Sequence, residues 1–118
     1  MNQVKEVINL DTAKCREMYI PDLFTLLRSD RRFMSWGAHN FIYNVDNTKR
    51  ARMFRMLVQG NHHKGHVYIF LNGLDLFDVY ITTNRGTIKD RTDEMGIYFD
   101  QLVEWIDERI ERIPEYRF

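Results

Sequence analysis

Cysteine, proline and glycine are scarce in this 118-residue chain, at one, two and six residues. The lone Cys15 excludes an intrachain disulfide and suits a reducing compartment, so a cytoplasmic setting is expected. No apolar run reaches the ~20 residues of a membrane helix. The opening MNQVKEVINLD lacks the apolar stretch of a secretion signal. An excess of one charge is missing as well. Seventeen Lys and Arg balance seventeen Asp and Glu, which argues against attachment to nucleic acid by bulk charge and leaves self-association unopposed. There is no Gly-rich phosphate loop, Walker pattern or Gly-x-Ser-x-Gly elbow. Without internal repeats or Pro/Gly linkers, residues 1–118 read as one domain.

With 44% hydrophobic and 14% aromatic residues, the chain can build a core. Val4, Val7, Ile8 and Leu10 suit either a helical stripe or an edge segment, and Asp11 or Thr12 can cap a short helical piece through Met18. Pro21 and Asp22 open a helix whose apolar side is Leu23, Phe24, Leu26 and Leu27, and RSDRR closes it. From Phe33 the pattern changes to strands: NFIYNV, RMFRMLVQ, HVYIFL and LFDVYITT, separated by DNTK, GNHHKG and NG. A further turn at TNRGT leads to a short strand near Thr87 to Lys89.

Asn72-Gly73 predicts a two-residue hairpin turn with both centres at positive φ. It sets Leu71 opposite Leu74, Ile69 opposite Leu76 and Val67 opposite Asp78. Gly60 and Gly65, taken as brackets of the previous turn, set Val58 opposite Val67, Met56 opposite Ile69 and Arg55 opposite Phe70. A turn at Asp46 to Lys49 sets Phe41 beside Phe54. One face then collects Phe41, Phe54, Met56, Val58, Val67, Ile69, Leu71, Leu74 and Leu76. The helix YFDQLVEWIDERIERI covers it with Phe99, Leu102, Val103, Ile106, Ile110 and Ile113, keeping Asp100, Glu104, Asp107, Glu108 and Glu111 in water until Pro114 stops it.

The opposite face is mixed: Ile42, Met53, Arg55, Leu57, His66, Tyr68, Phe70, Asp75, Phe77, Val79 and Ile81, with an Arg55–Asp75 pair expected to flank Phe70. Three readings stay open. The N-terminal helix packs here, the face joins two copies, or it binds a partner or single-stranded nucleic acid through Tyr68, Phe70 and Phe77 beside Arg55. The RNA-recognition Lys/Arg-Gly-Phe-Gly-Phe signature is missing.

In GNHHKGH the candidate metal ligands are His62 and His66. No carboxylate or cysteine lies nearby, and Asp and Glu are absent from Gly60 to Asn72, so a polar hairpin tip is the expectation and no metal or other cofactor is. Asp75 and Asp78, three apart on a strand, fall on opposite faces and cannot act as a catalytic pair. Asp78 is expected on the core side. Lys49, Arg50 and Arg52 make a solvated hairpin or a phosphate-contacting arm. Trp36 in SWGAHN reads as a core plug, Gly37 as a bulge, and the PEYRF tail as docked on its own domain. Cys15 has no base beside it in sequence.

WGAHNF, VYIFLNGLDLFDVYI and GIYFDQLVEWIDERIE resemble small uncharacterised proteins carried by bacterial mobile elements and phages, over Phe33 to Ile113. That resemblance implies an intracellular bacterial or viral setting and no activity, cofactor or catalytic residue.

The expected architecture is α+β: an N-terminal helical segment, a four- to five-stranded antiparallel meander, and a C-terminal amphipathic helix on one sheet face. The expected function is non-enzymatic binding of a protein partner or a second copy, with Arg55, Tyr68, Phe70 and Phe77 as anchors. Single-stranded nucleic-acid binding through those aromatics with Lys49, Arg50 and Arg52 is the alternative, and an enzyme of unknown type the third.

Overall fold

The computed structural model describes residues 15–43, 49–60, 62–93 and 95–111. The expected segment at Val4 to Leu10, the cap at Asp11 or Thr12, residues 46–48 of the turn expected at Asp46 to Lys49, Ile113 of the C-terminal stripe, and the PEYRF tail lie outside them.

The chain is an α+β protein. In order come β1 (Met18–Tyr19), α1 (Ile20–Arg28), α2 (Arg32–Ser35), β2 (His39–Ile42), β3 (Arg50–Ala51), β4 (Phe54–Gln59), β5 (Lys64–Leu71), β6 (Phe77–Thr82), β7 (Ile88–Arg91), a 3-10 turn (Phe99–Gln101) and α3 (Leu102–Ile110). Strands β2-β4-β5-β6-β7 form a five-stranded antiparallel sheet, and β1 pairs with β3 alongside. Of the helical piece expected to run through Met18, residues 16–18 are instead extended, because the Arg16 N–H donates to the Leu71 carbonyl at 2.8 Å and Met18 pairs with Ala51.

The β5–β6 register departs from expectation. Leu71 faces Phe77, Ile69 faces Val79 and Val67 faces Ile81, a slip of three residues. An odd slip turns β6 over. Phe77, Val79 and Ile81 join the apolar face, while Asp78 and Tyr80 go to the other. The turn itself is a three-residue loop, Gly73 to Asp75, closed by the Asn72 N–H on the Leu76 carbonyl at 2.8 Å. Asn72 Oδ1 accepts from the N–H groups of Leu74 (2.8 Å) and Leu76 (3.2 Å), and Asp75 takes the left-handed φ of +64°. Burying Val79 and Ile81 is worth about 1.5–3 kcal/mol each. The expected register would instead have put the Asp78 carboxylate into the core, which is costly. Tertiary burial therefore overrides the local Asn-Gly preference.

Between β4 and β5 the slip is two residues, with Met56 opposite Val67 and Arg55 opposite Tyr68, so the faces are kept. Gly65 is a strand residue. A Cβ there would collide with the Thr82 carbonyl oxygen and lie 2.8 Å from His63 Nε2. In β2, Ile42 faces Arg55 and His39 faces Leu57 across an irregularity that follows Gly37 (φ +62°).

Both helices cover the same face. Ile20, Leu23 and Leu27 of α1 and Leu102, Val103, Ile106 and Ile110 of α3 share one buried cluster with Phe54, Met56, Val58, Val67, Ile69, Val79 and Ile81. Phe24 meets Phe41 and Phe54 edge-on at 5.1 and 5.4 Å. The expectation that α1 covers the mixed face is therefore corrected. Trp36 is the expected core plug, with its Nε1–H donating to Asp107 Oδ1 at 2.9 Å. Asp107, expected in water, is fully buried, and Phe99, expected in the core stripe, is exposed.

Candidate functional site

The second face is closed over its middle. Tyr68, Phe70 and Tyr80 are each 2% exposed and pack with Cys15, Met53 and Ile88. Tyr68 and Phe70 stack at 6.4 Å, and Phe70 meets Tyr80 edge-on at 5.8 Å. Their faces are not presented to water as a stacking platform. Phe77, expected beside them, lies on the core face. The expected Arg55–Asp75 pair does not form: Asp75 pairs with Arg16 at 2.6 Å in the β5–β6 turn. Arg55 stays on the second face, half-buried, diagonal to His66.

The basic run is tied to the segment before α1. Lys49 accepts from the Ile20 N–H through its carbonyl (3.0 Å), Arg50 lies 5.4 Å from the Tyr19 ring, and Arg52 donates to the Cys15 carbonyl at 2.6 Å. His62 is exposed, His66 half-buried, and His63 only 8% exposed. Among the described residues no group of three or more His, Cys, Asp or Glu converges as metal ligands. None of their helices is long and apolar enough to cross a membrane.

Burial lowers the pKa of His63, against backbone hydrogen bonds involving Thr82 and His66 that raise it, with Lys89 lowering it further. Burial and the positive neighbours Arg55 and His63 lower that of His66. The folded chain therefore takes up these protons less readily than the unfolded chain, whose imidazoles titrate near about 6.5. Their contribution to stability is complete above that value and is lost as pH falls below it. The urea midpoint should fall between pH ~7.5 and ~5, with at most about 1.4 kcal/mol per pH unit from each histidine, and a His63→Gln variant should show a shallower slope. Burial raises Asp78 against the Asn72 hydrogen bond. Its contribution has the opposite sign and drains as pH rises from about 4.

An open apolar surface lies at the other end of the molecule. Between α1 and the 3-10 turn, a groove of about 560 Å3 is lined by Met18, Tyr19, Leu23, Leu26, Leu71, Phe77 and Phe99. Leu71 and Phe77 belong to the core face but stay half-buried here. Leu74, Met95, Tyr98 and Phe99 are each 62–64% exposed at this end. They are held together by Asn72 Nδ2 donating to the Met95 carbonyl (2.9 Å) and by the paired backbones of Phe77 and Ile97. Glu17 and Asp22 also line the groove, and among the described residues no Lys or Arg does. The patch suits non-covalent capture of apolar side chains.

Sequence reasoning placed Leu74 and Phe99 in the core and missed this surface. A signal was present for Leu74, which sits between the turn-formers Asn72-Gly73 and Asp75. For Phe99 the signal was Gln101, whose side-chain oxygen accepts from the Tyr98 N–H at 3.0 Å and so starts a 3-10 turn at Phe99 ahead of α3. A scan against family models, a search of curated proteins and a search of solved structures each return no match.

Proposed function

We propose that this protein is a binding module that holds an extended or helical segment of a partner protein in the groove between α1 and the 3-10 turn. The observation that carries the reading is a groove with an apolar lining whose Phe99 is 64% exposed, with Leu74, Met95 and Tyr98 exposed on the segments that follow Leu71 and flank Ile97. Large apolar side chains left in water at one place are the mark of a contact surface. Glu17 and Asp22 supply the specificity, since carboxylates on the rim favour a segment flanked by Lys or Arg. The aromatic face expected to serve as the contact surface is closed over Tyr68 and Phe70, so the role moves to the groove.

The test is a fluorescent synthetic peptide with leucine and phenylalanine anchors and flanking lysines. Saturable binding is expected, weakened about tenfold, or about 1.4 kcal/mol, by Phe99→Ser and by Glu17→Lys. Both residues are exposed, so folding is spared. The same peptide flanked by glutamates should not bind. Equal binding of both peptides, or affinity unchanged in both variants, removes the reading. Concentration-dependent dimerisation abolished by Phe99→Ser would assign the groove to a second copy of the chain instead.

A further inference from the structure

Helix α1 borders a second cleft on its other flank. In IPDLFTLLR, Pro21, Phe24 and Arg28 recur at three- and four-residue spacing, so they share one stripe of the helix. Asp22 and Leu26 fall on the flank that lines the groove described above. Opposite the Phe24 stripe lie Tyr43, after β2, and Lys49, before β3. The cleft between them holds about 690 Å3. Small-molecule sites run from roughly 300 to 1,000 Å3.

Its walls are aromatic and its charge is of one sign. Phe24 and Tyr43 are half-buried and meet edge-on at 6.0 Å, and Tyr43 stacks on the fully buried Phe54 at 5.9 Å. The Arg28 guanidinium sits over the Phe24 ring, 4.6 Å from its centroid. Lys49 is held at φ +63°, with its carbonyl accepting from the Ile20 N–H at 3.0 Å. Among the described residues no Asp or Glu lines the cleft, and neither Arg28 nor Lys49 forms an ion pair. The hydroxyls of Thr25 and Ser29, also in the lining, donate to the Pro21 and Leu26 carbonyls at 3.0 and 2.8 Å. The two cations are therefore left to meet charge from outside. A guanidinium held flat on a ring keeps its N–H fork for a carboxylate. Rings beside it favour a flat apolar body, which gains by edge or offset contact.

We infer that this cleft binds a small aromatic carboxylate, its ring system against Phe24 and Tyr43 and its carboxylate between Arg28 and Lys49. The site shares only Thr25 and Ser29 with the lining of the peptide groove and does not depend on it.

The test is an NMR titration of the full chain with naphthoate, against naphthylmethylammonium and acetate at equal ionic strength. Saturable shifts of the Tyr43 ring resonances are expected at millimolar naphthoate or below, with those of Phe99 unmoved. The ammonium ion, which has the same ring system and the opposite charge, should not bind, and acetate, which has the charge without the rings, should leave Tyr43 in place. Replacing both cations, Arg28→Gln with Lys49→Gln, should weaken naphthoate about tenfold, or about 1.4 kcal/mol. Both are exposed, so folding is spared, and the wild-type comparison of the three probes stands without the variant. Phe99→Ser should leave naphthoate binding unchanged, which keeps this result apart from the fate of the peptide reading. No saturable movement of Tyr43, equal effects of the ammonium ion or acetate, or unchanged affinity in the double variant overturns the proposal.

Discussion

Trp36→Ala is expected to lower unfolding free energy by about 5 kcal/mol, the largest loss from a single truncation in this chain. Two terms add. The indole is fully buried, with Phe33 edge-on at 5.3 Å, so its removal leaves a cavity the size of a large aromatic ring. Removing the ring also deletes the Nε1–H that donates to Asp107 Oδ1 across 71 residues of sequence. Asp107 is fully buried, so its carboxylate loses a donor where water cannot replace it. Trp36→Phe separates the terms, because it keeps much of the volume and drops the donor. Its cost should be about half. Asp107→Asn keeps an acceptor oxygen and should cost least of the three. Urea unfolding followed by far-UV circular dichroism gives all three values. A Trp36→Ala loss under about 1 kcal/mol would mean that the ring is not packed as described.

Gly60→Ala comes next, with an expected loss of about 3 kcal/mol. A Cβ at Gly60 would lie 2.7 Å from the Ile110 carbonyl carbon and closer still to its oxygen. Those atoms are backbone and cannot swing aside. The end of α3 docks here, with the Ile110 carbonyl accepting from the His62 N–H at 2.8 Å and the Gly60 N–H donating to the His63 carbonyl at 2.9 Å. An alanine must push the helix end off the loop and lose both the packing and the hydrogen bond. Hydrogen exchange at His62 should accelerate alongside the drop in urea midpoint. Gly73→Ala is the matched control, since nothing lies within 4 Å of a Cβ built there and Gly73 is not at positive φ. That variant should be neutral, or stabilised by up to about 1 kcal/mol through the unfolded chain. Were the Asn-Gly pair a two-residue turn with both centres at positive φ, Gly73→Ala would be costly instead. The pair of variants therefore also tests the strand register.

Most of the elements were legible in the sequence. Alternation in VYIFL and FDVYIT marks strands because side chains on a strand point alternately to two faces. The spacing of Leu102, Val103, Ile106 and Ile110 marks a helix for the same local reason. Trp36 as a core plug followed from size and setting. The candidate groove was not legible, because it exists only where two helices and a turn fail to cover the sheet. The lack of carboxylates from Gly60 to Asn72 was visible in the sequence, but bringing Arg55 beside His66 needed the register.

Residue order alone determined which segments are strands and helices, and which residues of each segment share a face. Those are properties of neighbours along the chain, set by backbone geometry. Only the tertiary structure decided which face of β6 turns inward, that α1 and α3 lie on the same side, and that Asp107 is buried beneath Trp36. Each of these depends on comparing burial energies between segments far apart in sequence. The cost of hiding Asp78, set against the gain from hiding Val79 and Ile81, outweighed what four residues of turn prefer.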